Sequence, residues 1–160
     1  IMKKSIHSLL FIFLIISLGA CSSSEDAQPT VPDGVPGTPG NPATELPIGA
    51  VKILKSGNFT AQSGTSTKGM IDLISDEGGR FFVKLGTDFT TKFSTGTVTV
   101  YLSTSKDLAL SEQSSFQLVA VVNKSGEHFF KLPNSPAAKF THGIIWCGAA
   151  AIPFGFAEIK

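Results

Sequence analysis

Few side chains in this sequence could do chemistry, and two cysteines lead them. Cys147 closes Ile144-Ile145-Trp146-Cys147 near the carboxyl end, and Cys21 closes Leu18-Gly19-Ala20-Cys21 near the amino end. With Cys21 modified, Cys147 is the only free thiol, and an intramolecular disulfide is excluded. An unpaired thiol in an oxidising compartment is buried, reactive or bound to something. Reactivity needs a nearby cation or another group that stabilises the thiolate. His142 lies five residues upstream on the same expected strand. A period of two puts His142 and Cys147 on opposite faces unless a bulge intervenes. Free cysteine also packs well as a small hydrophobe, here beside Trp146. Two readings of Cys147 therefore stand side by side: a redox or ligand thiol, and a core residue.

Other chemistries have weaker marks. No C-x-x-C-H attachment sequence is present, so a haem would rely on axial ligands drawn from Met70, His128, His142 and Cys147. The histidines of the mature chain are far apart and fit no metal-site spacing, and two cysteines cannot make a four-cysteine zinc site. No G-x-S-x-G occurs, which argues against a serine hydrolase of that kind. The acids are scattered, and Asp88 reads as a turn or loop cap rather than a general base. The chain has 160 residues and a formal net charge of +1. It lacks the basic excess of a nucleic-acid binder and is too short for a large multidomain enzyme.

The elements that must position these residues fall into three parts. Residues 1–20 carry a basic start (Lys3, Lys4), a short apolar run (Leu9 to Leu18) and small residues before Cys21. That is the layout of a secretory signal, and the apolar run is too short to span a bilayer as a helix. Leu18-Gly19-Ala20-Cys21 looks like a bacterial lipobox, with Cys21 lipidated and serving as the membrane anchor. The lipobox implies an outer-membrane lipoprotein of the bacterial cell envelope; Ser22-Ser23-Ser24-Glu25-Asp26 is similar to the export tag of surface lipoproteins, which would expose it at the surface, and reads otherwise as the solvated polar start of a linker.

Residues 21–48 read as a linker behind that anchor. Six of the nine prolines stand here, together with Glu25, Asp26, Asp33 and Glu45 and no Lys, Arg or aromatic residue. Nothing in this composition can bury a core, so a disordered or polyproline-like spacer is expected. Extended, it would reach roughly 80 Å from the lipid.

Residues 49–160 read as one all-β domain. No stretch holds a 3.6 period. Short runs of β-branched and aromatic residues recur instead between Gly, Asn, Asp and Ser. Strands are expected near 51–54, 57–61, 68–74, 80–85, 97–102, 116–122, 128–132, 141–147 and 154–159, with a helical turn or loop in 108–115. Asp76-Glu77-Gly78-Gly79 is a hairpin signal. Val98, Val100 and Leu102 alternate with Thr97, Thr99 and Tyr101, which predicts one buried and one wetter face. Phe116 to Val122 is apolar on both sides and is expected at the centre of a sheet. Eight or nine such strands predict an antiparallel β-sandwich.

Gly57-Asn58-Phe59, Leu85 with Asp88-Phe89, Val100-Tyr101-Leu102-Ser103, Trp146-Cys147 and Phe154-Gly155-Phe156-Ala157 occur in this order over nearly the whole domain. In order and spacing they resemble the DM-thirteen domain, an extracellular β module found beside DOMON and cytochrome-type domains. The resemblance implies an accessory role in electron transfer with a protein redox partner, and Cys147 as redox thiol or prosthetic-group ligand. Ser94-Thr95-Gly96-Thr97-Val98 departs from the Gly-Pro-acid stretch usual in that family.

Two functions follow as expectations. One is a lipid-anchored redox or electron-transfer accessory using Cys147, with Trp146 and His142 as its neighbours. The other is a non-catalytic surface module that binds protein or glycan, with Cys147 structural. Phe81-Phe82 and Phe129-Phe130 put one ring on each sheet face. They would form a binding surface if one face were open, and core if both were covered.

Overall fold

The computed structural model describes residues 45–160. The expected lipidation site Cys21, the signal and most of the linker lie outside the described residues. The described chain forms nine strands: β1 Val51–Asn58, β2 Thr60–Ala61, β3 Met70–Asp76, β4 Phe81–Leu85, β5 Val98–Ser103, β6 Phe116–Val122, β7 His128–Leu132, β8 His142–Cys147 and β9 Ile152–Glu158. Two antiparallel sheets result, ordered β1-β3-β4-β7 and β2-β9-β8-β5-β6. The expected all-β sandwich is the observed fold, and the stretch before β6 holds a single 3-10 turn at Gln113–Ser115.

Alternation explains how the sheets meet. Ile71, Leu73, Val83 and Leu85 point inward from the four-stranded sheet. Val98, Val100, Leu102 and Ile145 point inward from the five-stranded one, and all are buried in one cluster. Each fully buried side chain of this size contributes roughly 1.5–3 kcal/mol over an exposed one. Phe89 fills the space between Phe59 and Phe93, with ring centroids 5.8 and 6.4 Å away. Asp76 to Gly79 forms the expected β3–β4 turn, with Gly79 at φ +72°. Asp88, in the loop after β4, accepts from the Met70 N–H at the start of β3 at 3.4 Å.

The two sheets are joined along one side. After Asn58 the chain turns at Phe59 and passes from the first sheet into β2 of the second. Ser56 and Lys160 exchange two backbone hydrogen bonds, of 3.0 and 3.1 Å. A Cβ on Gly57 would lie 2.3 Å from the Glu158 carbonyl oxygen, so glycine alone permits this approach of β1 to β9.

Two expectations need correction. First, β6 is not central. It pairs with β5 alone and forms the edge of the five-stranded sheet. Its apolar composition reflects inward packing of Ala120 and Val122 and an apolar outward side, not a strand on each flank. Second, Thr99 on the side expected to be wetter is buried, and Tyr101 is half-buried.

The four residues before the domain are held to it as well. Asp76 Oδ2 accepts from the Ile48 N–H at 3.1 Å, and the Glu77 N–H donates to the Ile48 carbonyl at 3.3 Å. Glu45 pairs with both Arg80 and Lys131.

Candidate functional site

β8 carries all three residues singled out near the carboxyl end, and its pairing with β5 runs without a register shift from Val98↔Cys147 to Ser103↔His142. Period two therefore holds along the strand. Cys147 points into the core and is 0% exposed, while His142 points out of the opposite face. The structure does not bring them together. Trp146 is half-buried on the His142 side.

Cys147 sits at the end of the core, flanked in register by Val98, and Val98 in turn by Val122. The turn Phe93–Thr95 covers it. Its thiol lies 3.9 Å from the Thr95 carbonyl oxygen and 3.7 Å from Thr95 Oγ1. The Gly148 N–H donates to the Thr97 carbonyl at 2.8 Å and ties the same segment to the β8–β9 turn. Burial pushes the thiol pKa up. Hydrogen bonding with the Ala150 backbone, the Thr95 side chain and the Ala149 backbone outweighs it, leaving the thiol below its ordinary value. Those groups are neutral, and neither Lys nor Arg nor His hydrogen-bonds the sulfur among the described residues.

His142 makes a hydrogen bond between its Nδ1 and Thr141 Oγ1 at 2.9 Å, with the Phe156 ring 6.3 Å away. Burial lowers its pKa, against the opposing pull of Glu158 and Asp107. His128 stacks on Phe130 at 5.6 Å and contacts the Lys124 carbonyl through Nε2. Met70 begins β3 in the other sheet. The four axial candidates thus occupy separate places, two of them on opposite faces of one sheet. The donor set does not fit a haem. Among the described residues no three His, Cys, Asp or Glu side chains gather as a metal site.

Of the phenylalanine pairs on the four-stranded sheet, Phe82 and Phe130 are buried and Phe81 and Phe129 are half-buried. Phe82 is 0% exposed on the outer side, with the Arg80 guanidinium 5.3 Å over its ring. Phe130 is core, Phe81 packs against it, and Phe129 lies under Lys84 Nζ at 5.6 Å.

Val51, Ile53 and Leu54 on β1 are exposed, and a second apolar face, half-buried and richer in aromatic rings, lies on the five-stranded sheet. Leu118, Tyr101, Ile144 and Phe156 form one continuous row across β6, β5, β8 and β9 on the outer side of the five-stranded sheet. Phe116, His142 and Glu158 lie in the next row, and Val121, Thr99 and Trp146 in the row on the other side. Tyr101 and Phe116 meet edge to face at 5.8 Å. Tyr101, Phe116, Leu118, Phe156 and Trp146 all keep part of their surface in water. Sequence reasoning missed this surface because it depends on strand order. The signal was present in His142, Ile144 and Trp146, a large residue at every second position of β8.

Compared with family models, curated proteins and solved structures, the chain gives no match.

Proposed function

We propose that this is a non-catalytic binding module of the bacterial cell envelope, anchored by lipid on Cys21, with Cys147 structural. The observation that carries the reading is the group of half-buried side chains Leu118, Tyr101, Phe156 and Trp146 on one sheet face, set around the fully buried Ile144. Flat aromatic rings on a rigid sheet supply large contact area at little entropic cost, which suits a protein or glycan ligand. The signal-like start and the lipobox-like Leu18-Gly19-Ala20-Cys21 support the outer-membrane location, and the Ser-and-acid stretch after Cys21 supports surface exposure. Full enclosure of Cys147 supports a packing role for it.

A redox role has one observation in its favour: the hydrogen bonding around the Cys147 sulfur favours its thiolate. The DM-thirteen likeness would assign Cys147 that role. The segment that departs from the family pattern, Ser94 to Val98, includes Thr95, which contacts the thiol.

The test is binding of candidate surface glycans and proteins by wild type, by Tyr101→Ala/Phe156→Ala and by Cys147→Ala. The double variant should lose at least about tenfold in affinity, a loss of the size expected for aromatic anchors. Cys147→Ala should bind as wild type. Equal binding by the double variant, or loss in Cys147→Ala alone, overturns the reading.

A further inference from the structure

Four strand edges flank the two sheets, and their management is unequal. Native proteins blunt an edge by shortness, charge, proline or a covering segment, because its free N–H and C=O groups recruit other strands. β1 carries Lys52 and Lys55 around a bulge, and Ser56 bonds Lys160. β2 is two residues long. β7 carries His128 and Lys131, and Lys131 is paired with Glu45 at 2.7 Å.

β6 is the exception. Phe-Gln-Leu-Val-Ala-Val-Val spans seven residues without a charge or a proline. Its only blunting device is a bulge opposite Val100 and Tyr101. Among the described residues no backbone hydrogen bond reaches Gln117, Val119 or Val121 from outside the β5–β6 ladder. Val121 is 37% exposed, and Leu118 and Phe116 are half-buried on the same outer side. Such a composition suits a strand flanked on both sides as well as it suits an edge.

We propose that the β6 edge pairs antiparallel with β6 of a second copy of this chain, joining two five-stranded sheets across a two-fold axis. An antiparallel pair of identical edges is self-complementary and closes at two, so it does not propagate. An uncharged strand meets its own copy without like charges opposed, a condition that β1 and β7 do not satisfy. The pairing continues the outer side of one five-stranded sheet, with Leu118 and Val121, into that of the other. The inference is independent of which ligand that row binds and of what Cys147 does.

The test is sedimentation of the full chain in density-matched detergent at about 100 μM, which populates complexes with Kd up to that order. Wild type should sediment at twice the chain mass, Val121→Lys at the single mass, and Ile53→Lys, exposed on the other sheet, as the dimer. Amide hydrogen exchange supplies a readout that needs no variant: every N–H of 116–122 should exchange slowly in the wild type. Wild type at single mass, a Val121→Lys dimer, or fast exchange along the outer edge of β6 would each overturn the proposal. So would growth to higher oligomers.

Discussion

Asp76 shows how one side chain holds a junction. Its carboxylate accepts four hydrogen bonds: from the Arg80 N–H at 2.9 Å, from Arg80 Nε and one guanidinium NH₂ at 2.8 and 2.6 Å, and from the Ile48 N–H. Burial opposes its charge, yet these donors and the Arg80 charge prevail and hold its pKa at about 2, below the ordinary 3.8. A carboxyl whose folded pKa is depressed adds stability above the unfolded value, and that stability is lost as pH falls through the folded one. Asp76→Asn should therefore be less stable than wild type at every pH above about 4, and the difference should shrink as pH falls from there and vanish only below about pH 2. Thermal unfolding of both proteins across that range checks it; a constant difference would show that Asp76 acts by shape rather than charge. Glu45, lowered chiefly by its hydrogen bond with Lys131, follows the same sign.

At the scale of elements, the side of the sandwich where β1 meets β9 depends on a missing side chain. A Cβ on Gly57 would strike a backbone oxygen, which cannot rotate away. Gly57→Ala should cost about 1–3 kcal/mol, the range for overpacking, through separation of Ser56 from Lys160. Denaturant unfolding measures the loss, and hydrogen exchange at Ser56 and Lys160 locates it. A wild-type midpoint would show that the strands part at no cost.

Strands were the legible part of the sequence. The limits of Phe116–Val122 and His128–Leu132 could be read directly, because Ser, Asn and Gly bracket runs that only a sheet accommodates. The break at Phe59 was not legible, since a strand that changes sheets keeps its alternation. Nor was the edge position of β6: apolar residues on both faces are equally consistent with a central strand and with an edge whose outer side is apolar. The opposition of His142 and Cys147 was legible because β8 meets β5 without a bulge. The row through Tyr101 and Phe156 was not, because it draws on four strands whose neighbours the sequence does not state.

At the scale of the whole molecule, the two readings of function divide on whether the core encloses the Cys147 thiol in solution as it does in the fold. The direct measurement is thiol counting on the full chain, native and denatured, with an excess of aromatic disulfide reagent. One thiol is expected in the denatured chain with Cys21 lipidated as proposed, and two without that lipid. In the native protein the Cys147 thiol should react only through opening of the domain, orders of magnitude more slowly than in the denatured chain. A native Cys147 thiol that reacts as fast as the denatured one would contradict the structural role of Cys147 and return the protein to the redox class.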